Sequence, residues 1–422
     1  MIFSFSIPIP SLHLATVFSC SLLLCLVLTK LLLKWQVKFG LDHPDGDRKQ
    51  HEKVIPRLGG LPIFLTLAVG LIYAPYGLHD GGRRVGDWWP IVICLVIIFV
   101  VGFADDLRPL GARVKLVGQI GTACILFASG YSIDVLTHPT TGAHVDLGWL
   151  ALPVTLFWLI AIPNIINLID GMDGLAGGFG LFMCLTLGVI GHFAGMADVV
   201  MVSAIMAGAL SGFLFFNLPP ARIFLGDGGA YLIGFFIAAV SLASSQKGTI
   251  VSALLVMIIA LGVPILDTLF AIVRRGVRGV PIFRADAEHI HHRLVQLGYT
   301  KPQALLVLYI ACALLSLGGI TILLSRGLTA VVAGAALVII AILAARYLGY
   351  VKSWRAVRIQ FREALATRRR LEFARAYGRV LSLEALKMTS AEDFSSMLLL
   401  GLRRTGFVAN PDAHSTTITV PV

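Results

Sequence analysis

Charge is scarce in this sequence. Asp, Glu, Lys and Arg make up 14% of its 422 residues and 57% are hydrophobic, whereas an ordinary soluble domain is roughly a quarter charged. So few charges cannot cover so much apolar surface, which excludes a water-soluble fold. Paired cysteines are lacking as well. The six cysteines (Cys20, Cys25, Cys94, Cys124, Cys184 and Cys312) lie scattered in apolar runs with no CxxC spacing. That excludes zinc ribbons, thioredoxin-like redox motifs and a secreted disulfide framework. There is no internal repeat, and no glycine-rich turn is followed by the Gly-Lys-Ser/Thr of a P-loop. The net charge of +11 would suit nucleic acid, but no RNA- or DNA-binding motif accompanies it.

Long apolar stretches are abundant instead, and the mean hydropathy is +0.87. A bilayer core needs about 20 apolar residues per helix. Eleven such stretches centre near residues 12–33, 60–76, 88–104, 114–131, 148–166, 177–193, 198–216, 229–245, 249–273, 303–324 and 328–345. Unbroken runs such as 91–100 fit helices, not the alternating strands of a barrel. The first stretch carries Lys30 and Lys34 at its far end and nothing basic before it, the wrong order for a cleaved signal peptide. The fold expected is an all-α polytopic membrane protein of about 11 transmembrane helices.

Sixteen Lys and Arg fall in the odd-numbered loops, against four (Arg83, Arg84, Lys247, Arg326) in the even ones. Positive charge stays inside, so the odd loops are expected to be cytoplasmic, the N-terminus outside and the C-terminus cytoplasmic. Residues 1–345 form the expected transmembrane domain. Residues 346–407 form a basic cytoplasmic tail whose first part, with Arg368-Arg369-Arg370 and apolar Trp354, Val357, Phe361 and Leu365, reads as an amphipathic helix on anionic headgroups. Residues 408–422 read as disordered.

The acids carry the functional signal. Asp105 and Asp106 end the third span; Asp170 and Asp173 follow the fifth, after Asn164 and Asn167; Asp227 lies between the seventh and eighth in Phe-Leu-Gly-Asp-Gly-Gly. His289, His291 and His292 lie in loop 9. All these motifs occupy odd loops and can meet on one face. Each has a plain reading: a solvated helix end, an Asp-Gly turn, a glycine-permitted close approach. Their joint placement does not follow from helix packing. Five aspartates at a membrane boundary are costly unless paired or bound to a cation. Lys115 and Arg222 do not balance them, and oxygen donors without thiolates suit Mg²⁺, or Mn²⁺, and through it a phosphate substrate. The histidines read as hydrogen-bond donors to a phosphate or sugar. Asp267, inside the ninth span, reads equally as a partner for Arg274, a polar helix contact or a catalytic acid.

In this order the residues resemble the polyprenyl-phosphate N-acetylhexosamine-1-phosphate transferases (glycosyltransferase family 4), and most the undecaprenyl-phosphate N-acetylglucosaminyl-1-phosphate transferase type. The likeness runs over about 10–345: Asp42, Pro44, Arg48, Lys49, His51, Pro56, Gly59 and Gly60 in loop 1, then Asp105-Asp106, Asn167/Asp170/Asp173, Phe224-Leu225-Gly226-Asp227 and His289-Ile290-His291-His292-Arg293-Leu294. The related phospho-muramoyl-pentapeptide enzymes tend to carry three consecutive histidines; Ile290 interrupts them here, favouring the N-acetylglucosamine branch.

The resemblance implies transfer of N-acetylglucosamine-1-phosphate from UDP-N-acetylglucosamine to undecaprenyl phosphate, releasing UMP, at the cytoplasmic face of a bacterial plasma (inner) membrane. Asp227 is then the first-choice Mg²⁺ ligand, with Asp170 and Asp173 as further metal or uridine contacts beside Asn167. Asp105, supported by Asp106, positions or deprotonates the lipid phosphate. His289, His291, His292 and Arg293 contact the sugar and its phosphate. Arg48, Lys49, His51, Lys115 and Arg222 attract the anions. A homodimer is compatible with this reading. The competing classes are the same reaction with another UDP-N-acetylhexosamine, an ion-coupled secondary transporter, which predicts midplane acids and an inverted repeat, and a scaffold whose basic tail recruits partners, which leaves the acids unexplained.

Overall fold

The computed structural model describes residues 11–35, 41–42, 55–73, 88–137, 144–245, 250–278 and 289–324. From the tail it describes residues 332, 334–335, 339, 346, 372–373, 376–384, 390–404, 408–409 and 418–419. The helices are α1 (Ser11–Lys34), α2 (Gly60–Tyr73), α3 (Trp89–Leu107), α4 (Ala112–Ala128), α5 (Ala151–Ile169), α6 (Leu175–Phe193), α7 (Ala197–Asn217), α8 (Gly226–Ser245), α9 (Ile250–Ala260), α10 (Gly262–Arg278), α11 (Ile290–Gln296) and α12 (Lys301–Leu324). Among the described residues seven helices are long and apolar enough to cross a membrane, or eight if the bent α9–α10 pair is one span. The protein is therefore a polytopic helical membrane protein. Ten of the eleven expected stretches fall on described helices, but α2 with 14 residues and α4 with 17 are not among the seven or eight, so the expected count of 11 is not reached among the described residues. The stretch 328–345 lies almost wholly outside the described residues.

The ninth stretch, read as one continuous span, is instead broken between α9 and α10 by a bend of 68°. Pro264 supplies the reason. It has no N–H for the carbonyl of Ala260, and its ring crowds that carbonyl.

Two antiparallel pairs interrupt the helices: Leu41–Asp42 with Ile55–Pro56, and the hairpin Val135–Thr137 with His144–Asp146. The hairpin leads into α5 through a short 3₁₀ turn, Gly148–Leu150.

The core belongs to α7 and α8. About four-fifths to nine-tenths of their apolar windows are inside the protein (83% and 89%), against 17% for α1. Helices in lipid gain nothing from burying one apolar face against another, so close backbone packing and polar contacts must hold them together. Gly208 and Gly212 of α7 lie directly under the Phe18 and Leu22 carbonyls of α1, where any side chain would collide. In α5, Trp158 donates its indole N–H to Ser241 Oγ of α8 (3.1 Å).

The chain divides into two compact units, residues 1–269 with 287–344, and 270–286 with 345–422. In the second unit the described tail contains a helix, Ala391–Arg404, and a two-residue strand pair, Val408–Ala409 with Ile418–Thr419. The expected amphipathic helix over 346–380, and most of 408–422, lie outside the described residues.

Candidate active site

The start of α8 organises the site. Gly226 turns into the helix with φ +75°, a left-handed conformation suited to glycine, and a Cβ there would strike the Arg57 carbonyl and the Asp106 carboxylate. The first N–H groups of a helix lack intrahelical partners and favour negative charge. Asp106, at the end of α3, meets both needs. Its Oδ1 accepts from the Asp227 N–H (2.8 Å) and its Oδ2 from the Gly228 N–H (2.9 Å). This fixes Asp227 in the first turn of α8.

The Asp227 carboxylate joins a chain of polar groups from four helices. Its Oδ1 accepts from Asn167 Nδ2 of α5 at 3.0 Å, and its Oδ2 from Lys115 Nζ of α4 at 2.9 Å. The same ammonium reaches Asp105 Oδ2 of α3 at 3.1 Å, while Asp105 Oδ1 accepts from the Leu110 N–H at 2.6 Å. Lys115 also lies 6.0 Å from the ring centre of Tyr231. The side chains of Lys115, Asp105 and Asp227 remain 15–27% exposed, so a water-borne molecule can reach them.

Beside this cluster runs the turn 170–174 between α5 and α6. Gly174 adopts φ +79°. Its N–H donates to Asn217 Oδ1 (3.0 Å), and its carbonyl accepts from the Tyr309 hydroxyl (2.6 Å). Asp173 Oδ2 accepts from the Ala221 N–H (3.0 Å). Desolvation of the half-buried Asp170, then the charges of Asp227 and Asp106, push its carboxyl well above the usual carboxylate range; Arg57 opposes the shift.

The His motif opens α11. His289 Nδ1 lies 2.9 Å from Asp267 Oδ2, and the Ile290 N–H donates to Asp267 Oδ1 at 2.9 Å. Asp267 thus gives one oxygen to His289 and the other to the first N–H of α11; the Arg274 side chain, its other expected partner, lies outside the described residues. His291 is 4% exposed. Burial first, then His292 and His289, push its imidazole down to about 3. Its Nε2 would stand 3.0 Å from a Cβ placed on Gly171, which puts the His motif against the aspartate turn. His292 packs at 4.2 Å on His291.

Of the expected residues, Asp105, Asp106, Lys115, Asn167, Asp170, Asp173, Asp227 and His291 therefore share one end of the helix bundle. Arg222 has an exposed side chain nearby in sequence, after α7. Arg48, Lys49 and His51 lie outside the described residues. The trio Asp170, Asp173 and Asp227, expected as metal ligands, does not close into a three-ligand cluster; no group of three or more His, Cys, Asp or Glu able to hold a metal occurs among the described residues. Asp173 is drawn instead to Ala221. The remaining oxygen donors still fit Mg²⁺, which is commonly held by one or two carboxylates and completed by water and phosphate oxygens. The suppressed ionisation of Asp170 points the same way, toward an excess of negative charge that a cation relieves.

Tyr231, Arg57, Asn217 and Tyr309 were not singled out from sequence. Asn217 and Tyr309 act on backbone atoms, which leave no sequence motif. Arg57 is one basic residue among several in its loop, and Tyr231 lies one helical turn beyond Asp227 inside an apolar run, where only the i, i+4 spacing hints at it.

Residues 88–245 match glycosyl transferase family 4. The chain is 35% identical over 311 residues to the probable undecaprenyl-phosphate N-acetylglucosaminyl 1-phosphate transferase of Bacillus subtilis, covering 74% of this chain and 85% of that protein. It is 32% identical over 333 residues to the decaprenyl-phosphate N-acetylglucosaminephosphotransferase of Mycolicibacterium smegmatis, covering 72% and 80%. To the phospho-N-acetylmuramoyl-pentapeptide-transferase of Halalkalibacterium halodurans it is 32% identical over 278 residues, covering 61% and 82%. A relative matched at this level over most of its length establishes kinship: the chain belongs to glycosyl transferase family 4, among its polyprenyl-phosphate sugar-1-phosphate transferases.

Proposed function

We propose that the protein transfers N-acetylglucosamine-1-phosphate from UDP-N-acetylglucosamine to undecaprenyl phosphate at the cytoplasmic face of a bacterial plasma membrane, as the first membrane step of a cell-surface polysaccharide. The observation that carries this reading is the placement of Asp227. It sits at the positive end of α8, capped by Asp106 and bound by Lys115 and Asn167, where a water-borne diphosphate can meet a lipid phosphate at the membrane edge. The N-acetylglucosamine-phosphate transferases of Bacillus subtilis and Mycolicibacterium smegmatis among the relatives support the choice of sugar.

In this reading an oxygen of the lipid phosphate attacks the sugar-bearing phosphorus of the donor. The bond from that phosphorus to the bridging oxygen breaks, and UMP leaves with the bond's electrons. A phosphate monoester's second pKa is near 6, so the acceptor is mostly dianionic at neutral pH and needs no obligatory base. Asp105 therefore positions the acceptor through Lys115, whose ammonium faces the incoming anions. Asn167 holds the Asp227 carboxylate in place, and Asp173 shapes the turn for the uridine. His291 contacts the sugar phosphate from the Gly171 side. Arg48, Lys49, His51 and Arg222 raise the local concentration of the anionic substrates. Mg²⁺, with Mn²⁺ as a substitute, would be held by Asp227 and Asp170 and would neutralise charge on the departing UMP.

The test is purified protein in detergent with undecaprenyl phosphate, Mg²⁺ and a panel of UDP-sugars, scored for UMP and lipid-linked product. UDP-N-acetylglucosamine gives the highest rate, and chelation by EDTA stops it. Asp227→Asn lowers turnover at least about 100-fold, the scale of losing one preorganised electrostatic group, while the protein stays folded. A variant with wild-type turnover would remove the metal assignment. A higher rate with another UDP-N-acetylhexosamine would move the specificity.

A further inference from the structure

We propose that Asp267 is a positioning residue of the transfer site: by fixing His289 and the first turn of α11, it holds His291 with Nε2 against Gly171, one residue from Asp170. This rests on the function proposed above and adds a residue to it.

Asp267 is 4% exposed inside α10. A buried carboxylate is costly unless its oxygens are hydrogen-bonded. Both are, and both bonds go to the same short segment: His289 Nδ1 and the Ile290 N–H. His289 stands at the cap position of α11 but does not cap it with its own side chain; Asp267 supplies that acceptor from another helix. A carboxylate accepts only, so Nδ1 of His289 carries the proton. The His289 ring lies parallel to that of His291, 2° apart with centres at 5.8 Å, so fixing one plane orients the other.

His291 then presents an unsatisfied atom. Its Nε2 is buried and has no hydrogen-bond partner, a state that costs about 1–3 kcal/mol in a folded protein. The atom lies against Gly171, where a side chain would come within 3.0 Å of it. A polar group of the donor that enters beside the aspartate turn provides the partner.

The test uses the full-length protein in detergent. Asp267→Asn has the same size, still accepts from Ile290, and presents an amide N–H to His289 Nδ1, which forces the proton to Nε2. In ¹⁵N-histidine spectra the wild-type His289 carries its proton on Nδ1, and the variant moves it to Nε2. Asp267→Asn raises the donor KM about 10–100-fold, the scale known for losing the partner that orients a metal-ligating histidine, and leaves the acceptor KM unchanged. Combined with His291→Ala it adds nothing further, because both changes remove the same interaction; a purely structural role predicts that the two losses multiply. A wild-type proton on His289 Nε2, multiplying losses, or an unchanged donor KM each overturns the proposal. If Asp267→Asn does not fold, the wild-type spectrum decides. If the wild type transfers no sugar phosphate from any UDP-sugar, the proposed function falls, and the spectra alone decide the positioning.

Discussion

Asp105 and Asp106 are adjacent and chemically identical, yet they hold different partners. Asp106 gives both oxygens to backbone N–H groups of α8, whereas Asp105 shares an ammonium with Asp227 at the open edge. Asp106→Asn must turn its amide N–H₂ toward one of those donors. That leaves a helix N–H unmatched, at a cost of about 1–3 kcal/mol. The variant should melt earlier and lose activity. Asp105→Asn keeps an acceptor for Leu110 and should melt like wild type while transferring more slowly. Thermal unfolding in detergent beside UMP release separates the two; the reverse ranking would contradict the cap. His291 makes a second prediction at this scale. Its folded pKa, near 3, lies below the 6.5 of a free imidazole, so as pH falls through 6.5 the unfolded chain takes up a proton that the folded chain refuses. Stability contributed by the neutral histidine is present above about 6.5 and is lost as pH drops toward 3. The wild-type melting midpoint should therefore fall faster between pH 6.5 and 5 than that of His291→Gln.

Helices set the distances between these groups, and one contact matters most for Asn167 and Asp227. Pro163 lies inside α5, where it deprives the Leu159 carbonyl of its helical N–H partner. One turn before Asn167, α8 passes this point so closely that a Cβ on Gly234 would stand 2.4 Å from the Pro163 Cα. The obstacle is backbone, so no rotamer change relieves it. Gly234→Ala should push α5 from α8, stretch the 3.0 Å bond between Asn167 and Asp227, and cost about 1–3 kcal/mol of stability as overpacking does. Turnover should fall with the melting midpoint; a fully active, equally stable variant would show that this contact does not set the site. Most of the helices were legible because apolar length is a direct demand of the bilayer, but hydropathy alone made α2 and α4 longer than they are. The break at Pro264 was passed over because hydropathy stays high across it, although the proline was visible. The ties between loop 1 and the α8 approach were not legible at all. Pro56, Gly59 and Gly60 bond to Phe224 and Leu225 purely through backbone groups, which any sequence possesses. Likewise the sequence brought the aspartates to one face through span parity, but not the role of each, since Asp106 acquires its partners only when α8, 121 residues away, folds against it.

Among the described helices the site is one-sided. The ends of α3 and α5 and the starts of α4, α6, α8 and α11 all contribute to it, so its polar cluster sits at one end of the bundle while α7 and α8 fill the apolar middle. Which leaflet that end faces depends on the loops. The proposed function puts it in the cytoplasm, on the strength of sixteen basic residues in the odd-numbered loops of the sequence against four in the even ones, because Lys and Arg near span ends resist translocation. This orientation also suits a UDP-linked donor, which is a cytosolic metabolite class, and an acceptor confined to the bilayer. Reporter fusions in a bacterial host test it. Alkaline phosphatase, active only outside, should work when fused after Asp146 in the hairpin and fail after Leu110 beside Asp105. A fluorescent protein, which folds when it remains in the cytoplasm, should fluoresce after Leu110 and stay dark after Asp146. The opposite pattern would put the aspartates outside, away from any cytosolic nucleotide sugar. The membrane placement and the proposed donor would then fail together, while kinship and the helix bundle would stand.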